Sequence, residues 1–472
     1  MTAAQETTGP AVPEALPEPI PPYLVEKVAG NRKDLNRSVL TLAIPAIAEQ
    51  LLFTVVQMAA LMIVGTLGAS AIAAVGVTNQ LHWLLQSAFW AFGAGTTTLV
   101  AQFTGACERD LAEGAIKQAV MFSLLVSVIV SSAGIALAPG VLALMGAEAA
   151  VLAQATGYFR MVMVAAVFQS VSLCLAASLR GSGDTRTPFK VGSAGAVINV
   201  LIIWLLVPGR WGLPALGVTG VGVGIIASQA VIMVTYLGVL LSGKCGIHIR
   251  SLKFRLDTSM LRRLLIVGVP AALEQFLMTF GMTIFVRLVM TLGTVAFAAH
   301  QISVNITSIS FMAGFGFAMA ATALVGKSLG ARDPELATDY ARATSRLGVG
   351  IMAALGAVFF LFGSQLVRLY SADPQIIGMG RLILRLAAFA QPAMGFYSII
   401  AGALRGAGDT RYPLYITFAG MWTLRIGLAY FLVQSLGLGL VGVWLAVNAD
   451  QWLRAFLVLM RFRGGRWKLV KV

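Results

Sequence analysis

From Val39 to about residue 460 the chain is a succession of apolar stretches of about 20 residues or more, separated by short polar segments. A helix rises 1.5 Å per residue, so about 20 apolar residues cross the roughly 30 Å hydrocarbon core of a bilayer. Charged residues make up only 11% of the chain and apolar residues 58%. Soluble domains carry about 25% charged residues, so this chain lacks the polar groups to cover a water-facing surface. An ordinary soluble enzyme is excluded. The net charge of +15 is spread along the chain beside these runs, so the expected partner is the lipid bilayer and not nucleic acid. The runs are continuous and do not alternate, which excludes a transmembrane β-barrel.

Hydropathy places twelve spans at about 39–64, 72–104, 118–137, 151–179, 189–208, 216–242, 264–290, 297–326, 347–364, 376–404, 412–433 and 439–460. The expected fold is an all-α integral membrane protein. Residues 1–37 hold six of the 16 prolines and predict a disordered, Pro-rich cytoplasmic tail with no apolar signal-peptide core. Lys and Arg avoid the segments between alternate spans: those loops contain only Arg210 and Arg368. The 243–263 linker and the 462–472 tail are basic, so both termini are expected to be cytoplasmic, in a plasma membrane whose inner leaflet is anionic. Glycine is abundant, at 50 residues, as suits close helix packing in lipid. Cys107, Cys174 and Cys245 have neither disulfide nor metal-ligand spacing, and no metal or cofactor is expected.

The chain repeats itself at an offset of 225. LRGSGDTRTP at 179–188 returns as LRGAGDTRYP at 404–413, and PAIAEQLLFT at 45–54 returns as PAALEQFLMT at 270–279. Leu67-Gly68 maps onto Leu292-Gly293, Gly105-Ala106 onto Gly330-Ala331, and Arg160 onto Arg385. Two six-helix halves follow, at 38–242 and 264–461. Each has an even number of spans, so the halves are parallel repeats about an axis along the membrane normal. Such pairs place a substrate path between the halves and alternate access by rocking.

The LRGxGDTRxP segments join spans four to five and ten to eleven. Gly181 and Gly183 permit unusual backbone angles. Asp184 can cap the next helix, Pro188 suits its first turn, and Arg180 holds the loop inside. Arg405, Gly406, Gly408, Asp409 and Pro413 repeat the pattern. These are structural loop residues first, with a gate or phosphate site as the other reading. Gly238 to Lys244 fits a GxxxxGK loop, but Cys245 replaces the hydroxyl residue that should hold magnesium, so nucleotide binding is rejected. Any pumping then draws on an ion gradient or on an outside subunit.

Charges inside spans are costly and point to function. Glu49 and Glu274 lie about ten residues into spans one and seven, each followed by a glutamine, Gln50 and Gln275. A buried carboxylate with no cation on its own helix face can trade a proton or bind sodium; a structural ion pair is the competing reading. Asp450 and Arg454, four apart on span twelve, are expected to pair. His300 near the start of span eight could shuttle protons or simply pack.

Twelve helices in parallel halves, the Pro-led start of each half, Ala299-His300-Gln301 and the doubled LRGxGDTRxP together resemble the multidrug and toxic compound extrusion (MATE) transporters, over about residues 38–460. The resemblance implies a monomeric, non-enzymatic antiporter that exports bulky, often cationic organic compounds in exchange for H+ or Na+. It also implies a cavity to which Gln50, Gln275, His300, Gln301 and Asn305 are candidates. Many members carry an aspartate where this chain has Ala60, and some an acid in helix ten, where 376–404 has none. A helix-seven acid is common, and Glu274 is the first candidate for ion coupling, with Glu49 second. A lipid-linked oligosaccharide flippase of the same superfamily is the alternative; it needs basic residues in the cavity, and only Arg287 and Arg425 are central.

Overall fold

The computed structural model describes residues 34–145, 149–243, 249 and 256–470. The N-terminal tail up to residue 33, most of the 243–263 linker including Cys245, and residues 471–472 lie outside the described residues. Twelve long helices follow one another: α1 (Leu35–Gly65), α2 (Ala69–Gly105), α3 (Arg109–Leu144), α4 (Ala149–Gly181), α5 (Arg186–Leu206), α6 (Val218–Ser242), α7 (Thr258–Met290), α8 (Thr294–Gly330), α9 (Pro334–Arg368), α10 (Pro374–Gly406), α11 (Arg411–Gln434) and α12 (Gly439–Arg463). Ten are long and apolar enough to cross a membrane. The other two, α2 and α12, are long enough but carry more polar side chains, among them Asn79, His82 and Gln102 on α2 and Asn448, Asp450 and Arg454 on α12. No strand occurs among the described residues.

Two helices run well past their hydropathy windows. The spans expected at 118–137 and 347–364 are α3 at Arg109–Leu144 and α9 at Pro334–Arg368. Their added turns are charged but helical, held by contacts such as Lys117 Nζ to Glu113 Oε1 at 2.8 Å, one turn apart. Capping fixes the starts. Asp333 accepts from Leu336 N at 2.8 Å and Asp373 from Gln375 N at 2.8 Å, with Pro334 and Pro374 in the first turn. Asp257 caps α7 through Ser259 N and Met260 N, and the Ser259 hydroxyl bond first of all holds its carboxyl below the ordinary range.

The 225-residue offset is visible in the element bounds: α2 at 69–105 lies over α8 at 294–330, and α4 at 149–181 over α10 at 374–406. Cores show how the halves meet. One core joins Val39, Leu42 and Ala43 of α1 to the C-terminal half, from Phe317 of α8 to Val458 of α12. A second joins α2–α6 to Met260 and Leu264 of α7. Both lie toward the end that carries the LRGxGDTRxP loops. The cores at the opposite end, around Val64 and Tyr158 or around Phe285 and Trp444, each belong to a single half. The two bundles are therefore packed together at the motif end and part toward the other. Trp90 and Phe315, 225 positions apart, meet edge-on at 5.2 Å where the bundles diverge.

The seal at the motif end is backbone against backbone. A Cβ on Gly105 would lie 2.0 Å from the Lys327 carbonyl oxygen, and one on Gly330 would lie 2.0 Å from the Gln102 carbonyl oxygen. No side chain fits in either place. Gly105→Val or Gly330→Val is expected to pry this end apart, raising the reactivity of a cysteine placed at Ser182 toward a hydrophilic maleimide. Unchanged labelling would mean that the contact does not hold the halves closed.

Candidate functional site

Glu274 lies in α7, one turn after Pro270, and is 6% exposed. Two helices supply its partners. Arg405, one residue before the end of α10, donates from Nη2 to Oε1 at 3.0 Å and from Nε to Oε2 at 3.4 Å. Tyr397 of α10 and Thr417 of α11 each donate to Oε1 at 3.1 Å, and their own oxygens are 2.7 Å apart. Helix seven brings no cation to Glu274, as its sequence implied, but α10 does, so the carboxylate is in an ion pair, the competing reading. The pairing joins the middle of α7 to the end of α10 that carries the loop motif.

Beside it lies a second charged cluster. Asp450 of α12, fully buried, accepts from Arg454 Nε at 2.5 Å, the helix-face pair expected from the sequence. Arg425 of α11 adds an ion contact, Nε to Asp450 Oδ2 at 2.8 Å, without hydrogen-bond alignment. Each arginine also donates to a sulfur of α7: Arg454 to Met278 at 3.3 Å and Arg425 to Met282 at 3.5 Å. The Arg454 guanidinium lies 5.6 Å from the Tyr397 ring, linking this cluster to the Glu274 partners. Room for it comes from Gly420: a Cβ there would meet Asp450 Oδ1 at 2.2 Å and Arg454 Nε at 2.7 Å. Gly420 and Arg425 both fall in a π-helical stretch of α11, Ala419–Leu428. Wide turns of this kind recur at functional sites, because they re-aim side chains.

The N-terminal half has a simpler version. Glu49 accepts from Arg180 Nη2 at 2.6 Å, across the same 131-residue separation that joins Glu274 to Arg405. The other positions differ: Tyr397, Thr417, Arg425, Asp450 and Arg454 correspond at the 225 offset to Ser172, Gly192, Val200, Ile225 and Gln229. Only one half carries the extended network.

The loop motifs have a different division of labour from the one their sequence implied. Arg180 and Arg405 are partners of the buried acids and do more than hold loops inside. Gly183 and Gly408 take positive φ, +91° and +87°. Gly181 and Gly406 are helical; they are small because a Cβ would meet the Thr97 carbonyl at 2.7 Å or the Thr322 carbonyl at 2.3 Å. Asp184 caps α5 by accepting from Thr187 N at 2.9 Å, and Pro188 sits in its first turn. Pro413 holds the matching place in α11. Asp409 instead accepts from Arg461 Nε at 2.7 Å.

The cavity candidates are scattered. His300 is buried between Phe285, 6.0 Å away, and Trp444, 5.7 Å away, and its Nδ1 has no hydrogen-bond partner. Gln301 and Asn305 are exposed and share one face of α8, apart from the buried His300. Gln275 is exposed and Gln50 half-buried; neither joins the ion pairs beside it. Missed from the sequence were Tyr397, Thr417 and the engagement of Arg425. No group of three or more metal-ligating side chains occurs among the described residues.

Motif backbones close the seal across the halves. Thr98 Oγ1 donates to the Arg405 carbonyl at 2.9 Å and Gln102 Nε2 to the Gly406 carbonyl at 3.1 Å. From the other side Lys327 Nζ donates to the Ser182 carbonyl at 3.0 Å. Parallel six-helix halves, closed at one end and parted at the other around buried charge, define a multi-pass membrane transporter. Residues 45–205 and 270–431 match the MatE family, and the chain belongs to it. A probable multidrug resistance protein NorM of Thermotoga maritima is 31% identical over 449 residues, covering 94% of each chain. The multidrug resistance protein MdtK of Yersinia pseudotuberculosis is 30% identical over 442 residues, covering 90% of this chain and 95% of that one. A multidrug resistance MATE family transporter solved in an outward-facing conformation superposes with a TM-score of 0.86 at 22% identity, over 95% of this chain and 98% of that one. A superfamily transporter from Pyrococcus furiosus gives the same score and identity, over 95% and 99%.

Proposed function

We propose that this protein is a cation-coupled antiporter that exports bulky, often cationic organic compounds from the cytoplasm, with H+ or Na+ as the coupling ion and Glu274 as the principal coupling residue. The motif end faces the cytoplasm in this reading, as the Lys and Arg bias suggests, so the state described is open to the outside. The relatives named for multidrug resistance support the substrate class.

One observation carries the coupling. The Arg405 side chain holds Glu274, while its backbone carbonyl accepts the Thr98 bond that ties the two halves together. An ion reaching Glu274 must compete with Arg405, and a shift of the Arg405 backbone that follows would disturb the seal. Ion occupancy and closure are then two states of one residue. Binding that differs between two states is what shifts their balance. Arg180 holds Glu49 two residues before Ser182, whose carbonyl accepts from Lys327 across the halves, and Glu49 is the second coupling candidate. The flippase alternative finds less support, because Arg425 is engaged with Asp450 and is 7% exposed.

The experiment is dye transport in proteoliposomes with proton and sodium gradients imposed separately. Uptake driven by one gradient and abolished by its collapse is expected. Dye movement indifferent to both would overturn the antiporter reading.

A further inference from the structure

A cavity of about 710 Å³ lies at the motif end, among α9, α10, α12, the turn after α12 and Leu35 at the start of α1, and its lining includes no residue of the Glu274 and Asp450 clusters. Its rim is basic. Arg342 and Arg346 lie one turn apart on α9, Arg463 is in the last turn of α12, and Lys468 belongs to the short 3-10 turn Arg466–Leu469. None of the four has a salt-bridge partner among the described residues. Asp339 is the one acid in the lining, so the cavity has an excess of three positive charges: 4 − 1 = 3. Its wall is apolar, formed by Phe396, Ile400 and Leu459.

That combination is specific to one half. The positions 225 earlier than Arg342, Arg346, Arg463 and Lys468 are Lys117, Met121, Gly238 and Gly243. Only Lys117 is basic there, and Glu113 already pairs with it at 2.8 Å. The cluster is thus no by-product of the repeat.

We propose that this cavity binds one anionic phospholipid, its phosphate held by Arg342, Arg346, Arg463 and Lys468 and an acyl chain laid against Phe396, Ile400 and Leu459. Basic side chains at helix ends meet the bilayer surface, and basic hollows between helices suit phospholipid headgroups. A zwitterionic lipid would bring its own cation into an already cationic rim. Free phosphate would leave the apolar wall unused. The bound lipid would tie α9 to the end of α12, so it acts as a brace between two helices of the C-terminal half.

The test is native mass spectrometry of the purified full-length protein after delipidation and re-addition of phosphatidylglycerol or phosphatidylcholine with the same acyl chains. Wild type is expected to retain phosphatidylglycerol selectively. Each basic residue near an anionic surface is worth about a factor of five, so R342Q/R346Q should weaken retention about 30-fold. R262Q/R263Q, a basic pair outside the cavity, should retain it as wild type does, and excess inorganic phosphate should not displace it. Equal loss in both double variants, or none in either, would overturn the site in favour of diffuse attraction. Displacement by phosphate would assign it to a free anion. Lipid binding that appears only after residues 1–33, with four glutamates, are removed would assign it to the chain's own N-terminal segment.

Discussion

Glu274→Gln is expected to give a folded protein that still binds substrate but loses gradient-driven export by at least about tenfold. Glutamine keeps the shape and can still accept from Tyr397 and Thr417. What it cannot do is neutralise Arg405 or exchange a cation. Arg405 then has no reason to alternate between the carboxylate and another position, and the seal no longer responds to the ion. Losing one partner of a well-buried pair costs about 3–5 kcal/mol. The Arg405 side chain is 27% exposed, so water offsets much of that and folding should survive. Reconstituted vesicles give the readout: counterflow of substrate without a gradient should persist while uphill transport fails. Full uphill transport by Glu274→Gln combined with Glu49→Gln would show that neither residue couples.

A larger loss of stability is expected from Asp450→Ala. It would strand Arg425 and Arg454, 8% and 1% exposed, against each other with no anion between them. Breaking a pair this deeply buried costs about 3–5 kcal/mol, a large part of a typical stability of about 5–15 kcal/mol. Yield in the membrane and the melting temperature in detergent should both fall. The N-terminal half supplies the rescue, since Val200, Ile225 and Gln229 occupy the corresponding places without charge. The triple variant Arg425→Val, Asp450→Ile, Arg454→Gln should therefore recover the melting temperature. If it also transports as wild type does, the cluster is scaffold alone; if it folds and fails to transport, the charges belong to the mechanism.

Helix number and repeat were legible because they follow from solvent and periodicity. About 20 apolar residues must be a spanning helix wherever they fall, and the offset of 225 survives in Glu49 and Glu274 as in Arg180 and Arg405. The same doubling held the clue to the ion pairs. Two acids and two arginines repeat together, and a buried acid repeated with a base suggests that the two meet. It was obscured because LRGxGDTRxP looks like a loop, and its first arginine lies on the helix before the loop. Tyr397 and Thr417 gave no signal, since the repeat puts Ser172 and Gly192 in their places and neither residue type recurs. Arg425 stands 25 residues from Asp450 on another helix, a distance no local periodicity bridges. The overrun of α3 and α9 was hidden because hydropathy windows stop at charge, whereas helices stop where caps and backbone geometry end them.

The Gly105 and Gly330 contacts carry one more implication. Gly105 abuts the Lys327 carbonyl and Gly330 abuts the Gln102 carbonyl, and 105 is to 330 as 102 is to 327. In an oligomer such reciprocity is the signature of an isologous interface, where a patch on one subunit binds the same patch on its twin. Here both patches lie on one polypeptide. Two separate copies of a six-helix ancestor could have docked through this surface as a homodimer, and joining them end to end would have left it unchanged. The uncharged Val200, Ile225 and Gln229 would then stand beside Arg425, Asp450 and Arg454 as the mark of divergence after fusion, when twin subunits no longer had to share one sequence.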